Sequence, residues 1–87
     1  MYEVLVSKKV LKSIEKMPGP VQKQMMNLVD DLHEKGPIRS EWPNFSKLGK
    51  DSYHCHLAHK WVACWQCRKN SLVIEVYYAG SRENAPY

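Results

Sequence analysis

The chain has 87 residues, 44% of them apolar and 25% charged, with a formal net charge of +4 at neutral pH. A chain of this length buries only about 60 to 65% of its unfolded surface and fills one core, so residues 1–87 are read as a single domain. The composition excludes a disordered tail, and no apolar run approaches the roughly 20 residues of a membrane span.

In chain order, the opening residues MYEVLVSKK carry neither a basic segment before an apolar stretch nor a small-residue cleavage site. The expectation is a cytoplasmic protein with no membrane partner. Tyr2 to Val6 is β-branched and ends at Ser7, which suits a strand followed by a helix cap. Val10, Leu11, Ile14 and Met17 then recur at helical spacing, with Lys8, Lys9, Lys12 and Lys16 largely opposite, and Pro18-Gly19-Pro20 stops that helix. Val21, Met25, Leu28, Val29 and Leu32 form the apolar stripe of a longer helix that Gly36-Pro37 closes. The segment Ile38 to Lys50 holds Pro43, Asn44 and Gly49, has no sustained period and reads as a loop ending in Lys47 and Lys50.

From Ser52 onward the chain is rich in Tyr, Trp, Val and Ile, broken at His59-Lys60 and at Lys69-Asn70-Ser71. Three strands in a meander follow, at about 53–58, 61–68 and 72–79. One strand, two helices and a meander give an α+β fold, in which the two N-terminal helices pack on one face of a small antiparallel sheet. Met25, Leu28, Val29 and Leu32 should meet the sheet face bearing Tyr53, Cys55 and Leu57, leaving the other face open.

Charge and aromatic groups concentrate in the same half. Residues 1–45 hold seven Lys/Arg against six Asp/Glu, whereas residues 46–87 hold six against three, together with Tyr53, Trp61, Trp65, Tyr77, Tyr78 and Tyr87. Cations interleaved with aromatic rings suit a nucleic-acid surface, although a basic surface that serves only solubility has the same composition. Strand alternation sets His54 and His56 together on the open face, where imidazoles can move protons near neutral pH. Arg82, beyond Ala79-Gly80-Ser81, offers a permanent cation whose fork matches phosphate oxygens. On spacing alone, His54 reads first as a surface polar group, and Arg82 reads equally as a solvated arginine.

Cys55, Cys64 and Cys67 are an odd number in a chain without an export signal, so reduced packing thiols are expected rather than disulfides. The Cys64-x-x-Cys67 pair invites a zinc reading, but an offset of three on a strand sends the thiols to opposite faces, and no metal is expected.

The stretch Lys47-Leu-Gly-Lys50, then Tyr53-His-Cys-His-Leu57, Trp61 to Trp65, Tyr78-Ala-Gly-Ser-Arg82 and a final aromatic resembles the C-terminal half of RelE/ParE-superfamily toxins. His54-Cys55-His56-Leu57 followed by Trp61 is most similar to the YafQ type. The β-α-α-β-β-β order read above is also the order this family implies.

That resemblance implies the toxin of a bacterial toxin–antitoxin pair, held by a cognate antitoxin. It implies a metal-independent endoribonuclease that cuts mRNA in the ribosomal A site, with the ribose 2′-hydroxyl as nucleophile and no cofactor. Such chemistry needs a base, a cation for the charge developing on phosphorus and an acid for the departing 5′ oxygen. The resemblance assigns His56 to proton transfer, Arg82 to the position of a catalytic arginine, and Tyr87 to the terminal aromatic that orients the target nucleotide. It assigns Lys47 and Lys50 to phosphate binding. His54 and Lys60, in the same basic half of the chain, are read as further RNA contacts. Two residues depart from the pattern. Val62 stands where many RelE-like toxins carry arginine, and Lys60 replaces the acidic residue usual before the tryptophan. Two alternatives stay open: a ParE-like inhibitor of DNA gyrase without nuclease chemistry, and a non-catalytic RNA-binding protein.

Overall fold

A computed structural model describes all residues, 1–87. Strand β1 (Glu3–Val6) leads into helices α1 (Lys8–Glu15) and α2 (Gly19–Lys35). A two-residue strand β2 (Ser46–Lys47) precedes β3 (Ser52–Ala58), β4 (Trp61–Gln66) and β5 (Val73–Ser81), and Arg82–Asn84 form a closing 3₁₀ turn.

The helix ends follow from their local chemistry. Ser7 caps α1 by accepting a hydrogen bond from the Val10 amide at 3.2 Å. Pro18 and Pro20 open α2, where a missing N–H costs nothing. Gly36 ends α2 at φ +93°, and its lack of a side chain admits the Tyr2 ring, which would lie 2.8 Å from an added Cβ. Arg39 then covers the helix C-terminus, donating to the Gly36 carbonyl at 3.0 Å and the Lys35 carbonyl at 3.3 Å while pairing with Glu41. Its positive charge meets the negative end of the helix dipole, which explains how an arginine is buried here.

The sheet order is β1-β5-β4-β3-β2. The meander β3-β4-β5 is antiparallel as expected, but β1 joins it parallel to β5, with Val4 beside Ile74, so the sheet is mixed. The expected loop before β3 also contains a short strand, β2, paired antiparallel with Ser46 opposite His54 and Lys47 opposite Tyr53. The last strand continues past Ala79 to Ser81, so Arg82 begins the 3₁₀ turn directly after it.

Both helices cover one sheet face, α1 against β5 and α2 against β3 and β1. The expected packing is present: Met25, Leu28 and Leu32 are inaccessible and share one core with Tyr53, Cys55 and Leu57, with Val29 packed at its margin. Trp65 anchors that core from β4 and donates its indole N–H to the Pro37 carbonyl at 3.0 Å, so its polar atom is satisfied. Phe45 and Tyr53 stack beside it, ring centroids 5.8 Å apart. Burial pushes the Cys55 and Cys64 thiols up to about 12, which keeps both as neutral packing groups. No helix is long and apolar enough to cross a membrane.

Candidate functional site

The face of the sheet turned away from the helices carries the two histidines of β3. Alternation sends Tyr53, Cys55 and Leu57 into the core, so His54 and His56 must emerge on the far side. Opposite them on β4 lie Cys64 and Val62, both inaccessible. They form an apolar floor that withholds water from the imidazoles.

His54 is covered rather than exposed, at 7% accessibility. Its Nδ1 is hydrogen-bonded to Ser46 Oγ at 2.9 Å, and the Tyr87 ring lies over it at a centroid distance of 4.5 Å. Burial and the neighbouring His56 lower its pKa below the ordinary value, with the Ser46 bond acting in the opposite sense. Its ring is 5.7 Å from that of His56.

His56 is half-buried and opens onto a cleft of about 420 Å³ lined by Pro43, Asn44, His56, Ala58, His59 and Arg82. Burial lowers its pKa, and the charges of Arg82 and His59 lower it further, so the ring is neutral and basic at neutral pH. Two backbone bonds build the walls. The His56 amide donates to the Pro43 carbonyl at 2.8 Å, fixing the loop that carries Asn44, and the Arg82 amide donates to the Lys60 carbonyl at 2.7 Å. Asn44 adopts φ +55°, a left-handed conformation that its short polar side chain tolerates. Gly80 leaves room for the Tyr78 hydroxyl, which reaches the Ser81 carbonyl at 2.7 Å and steadies the turn before Arg82.

Tyr87 is half-exposed; burial raises its phenol pKa, the more so with Cys64 nearby, and Arg82 opposes the rise, so the hydroxyl stays protonated. Its ring lies tilted against that of His54.

Of the residues singled out from sequence, His54, His56, Arg82 and Tyr87 therefore converge. Lys47, Lys50 and Lys60 do not join them. Lys47 pairs with Tyr53 and so points to the helix side of the sheet, and with Lys50 it lines a separate cleft at the opposite end of β3. The cause is register: pairing Ser46 with His54 sends the next residue to the other face. Lys60 keeps the right end of the sheet, but its ammonium lies 5.8 Å from the centroid of the Trp61 ring and away from the cleft. Three contributors escaped the sequence reading. His59 stands in sequence only as a break between strands, and Asn44 and Ser46 only as part of a loop; the Pro43-Asn44 pair is the signal for a turn.

The architecture is that of RelE-like toxins. No known family profile matches the chain, and no curated protein matches it. Solved structures do. RelE in the archaeal RelE–RelB complex of Pyrococcus horikoshii aligns over 97% of this chain and 98% of its own, with TM-score 0.75 at 18% identity. The isolated RelE toxin of E. coli aligns over 99% and 89%, with TM-score 0.74 at 19% identity. The intact E. coli RelBE toxin–antitoxin complex gives 93% and 96%, with TM-score 0.72 at 20% identity. At these identities the likeness shows a shared fold over nearly the whole chain.

Proposed function

We propose that this chain is the toxin of a toxin–antitoxin pair and acts as a metal-independent endoribonuclease on messenger RNA in the ribosomal A site. The observation that carries the reading is the joint presence of His56, His59 and Arg82 around one open cleft on the uncovered face of a RelE-like sheet. The similar E. coli protein is a toxin, solved both alone and with its antitoxin, which supports a cognate antitoxin as partner here.

In this mechanism the neutral His56 ring accepts the proton of the ribose 2′-hydroxyl as that oxygen attacks the adjacent phosphorus. Arg82 holds the charge that develops on the non-bridging oxygens, its fork matching their geometry. His59 is the other imidazole lining the cleft, and it protonates the departing 5′ oxygen. The bond from phosphorus to the 2′ oxygen forms while the bond to the 5′ oxygen breaks, leaving a 2′,3′-cyclic phosphate and a 5′-hydroxyl. Tyr87 stacks on the nucleotide beside the cut, and His54, pinned by Ser46 and lying under Tyr87, sets the position of that ring.

The test is tightly controlled expression followed within minutes by mapping of new 5′ ends on cellular messages. New ends within translated regions are expected. Growth arrest with intact messages and trapped gyrase–DNA complexes would replace this reading with a ParE-like one, whereas intact messages with RNA still bound would leave a non-catalytic RNA-binding protein.

A further inference from the structure

At the other end of the sheet from His56, two turns meet. One joins β2 to β3, with Lys47 at the end of β2 and Lys50 in the turn; the other joins β4 to β5 and carries Arg68 and Lys69. All four cations line one cleft of about 350 Å³, with Asp51 as its sole carboxylate. None of the four is in an ion pair, since the pairs in the molecule are Lys35 with Asp31 and Arg39 with Glu41. Four cations against one carboxylate leave the cleft with a net positive charge.

The scaffold that holds them is fixed. The Leu48 amide donates to the Ser52 carbonyl at 2.8 Å, the Cys67 amide to the Asp51 carbonyl at 2.9 Å, and the Ser71 amide to the Arg68 carbonyl at 2.9 Å. Asn70, at φ +66°, closes the second turn. The four lysines of α1 differ in this respect, since Lys8, Lys9, Lys12 and Lys16 stand on a solvated helix and line no shared cleft except for Lys16 in another pocket.

We propose that this second cleft binds the phosphate backbone of an RNA strand, as an anchor separate from the cleft where His56 and Arg82 act; the choice of RNA rests on the proposed function above. Fixed, unpaired cations at a concave surface attract consecutive phosphates, and each contact releases counterions. The two clefts lie about six residue steps apart along β3, roughly 20 Å, and on opposite faces of the sheet, so the anchor holds a part of the RNA several nucleotides away from the bond that is cut.

The experiment measures binding of a fluorescent 2′-O-methyl oligouridylate of about 12 nucleotides, a length suited to a small sheet surface, across a salt series. The probe lacks the nucleophile, so binding is read without cutting. Arg68→Gln with Lys69→Gln is expected to weaken binding about tenfold or more at low salt and to reduce the slope of log K against log salt by about 1.4, two single-strand contacts. Lys9→Gln with Lys12→Gln removes equal charge and is expected to leave the slope nearly unchanged. Equal loss in the two pairs, no loss in the first, or displacement of the probe by polyglutamate as readily as by unlabelled RNA would each overturn the anchor. Message cleavage by the unaltered chain is scored separately. Cutting with no slope change removes the anchor alone, while a slope change without cutting removes the nuclease and keeps the anchor.

Discussion

Strand β3 has two faces with opposite demands. Tyr53, Cys55 and Leu57 lie in the core, where the helices exclude water from them, whereas His54 and His56 stand over an inaccessible apolar floor on the face away from the helices. Both faces are desolvated, yet the outcome differs. On the covered face burial contributes directly to stability, as apolar area is removed from water. On the other it raises the cost of charging an imidazole, which keeps His56 neutral and able to take a proton. One seven-residue strand thus serves packing and chemistry at once, because side chains alternate with a period of two.

The contrast breaks most visibly on the covered face. Trp65→Ala removes an inaccessible ring and leaves the Pro37 carbonyl without its donor, at a cost of about 3 to 5 kcal/mol. That is a large part of the stability of a domain this small. Urea unfolding should show the midpoint collapse. A loss within about 1 kcal/mol would mean that the core lies elsewhere. Leu28→Ala, also at 0% accessibility, should follow at about 2 to 5 kcal/mol.

Gly36→Ala probes the junction between α2 and the sheet with a smaller effect. An added Cβ meets the Tyr2 ring at a backbone angle of +93°. The substitution should destabilise by roughly 1 to 3 kcal/mol, since strain and steric contact act together. Pairing it with Tyr2→Ala should recover part of the loss in the same unfolding assay, because the collision is then relieved.

The open face should reveal itself through pH. His54 and His56 both have folded pKa values below the ordinary 6.5, so in the window beneath that value the unfolded chain binds more protons than the folded one. Stability from these groups is therefore present above that value and is lost as pH falls through their folded pKa values. The melting temperature should decline on acidification from neutrality, and His54→Gln should flatten the decline. An identical pH profile for the variant would show that His54 is not part of this balance.

The elements that sequence made legible are those with a local period. The α2 stripe of Val21, Met25, Leu28 and Leu32 and the alternation along β3 both translate directly into burial. What stayed hidden depends on contacts between distant residues. The parallel pairing of β1 with β5 joins Glu3 to Val73, and no local pattern encodes such a partner. Strand β2 has two residues, too few to show alternation, yet its register decides that Lys47 leaves the face where His56 lies. The covering of His54 depends on Tyr87, more than thirty residues along the chain. Val62, which departs from the family pattern, is the buried neighbour opposite His56.

The central claim is that His56 and Arg82 perform chemistry and do not hold the fold. The most direct measurement compares message cleavage by the unaltered chain and by the His56→Ala Arg82→Ala variant, with thermal melts on the same preparations. Cleavage lower by about 10²-fold or more with an unchanged melting temperature is the expected result. A variant that melts normally and still cuts at the original rate would contradict the account.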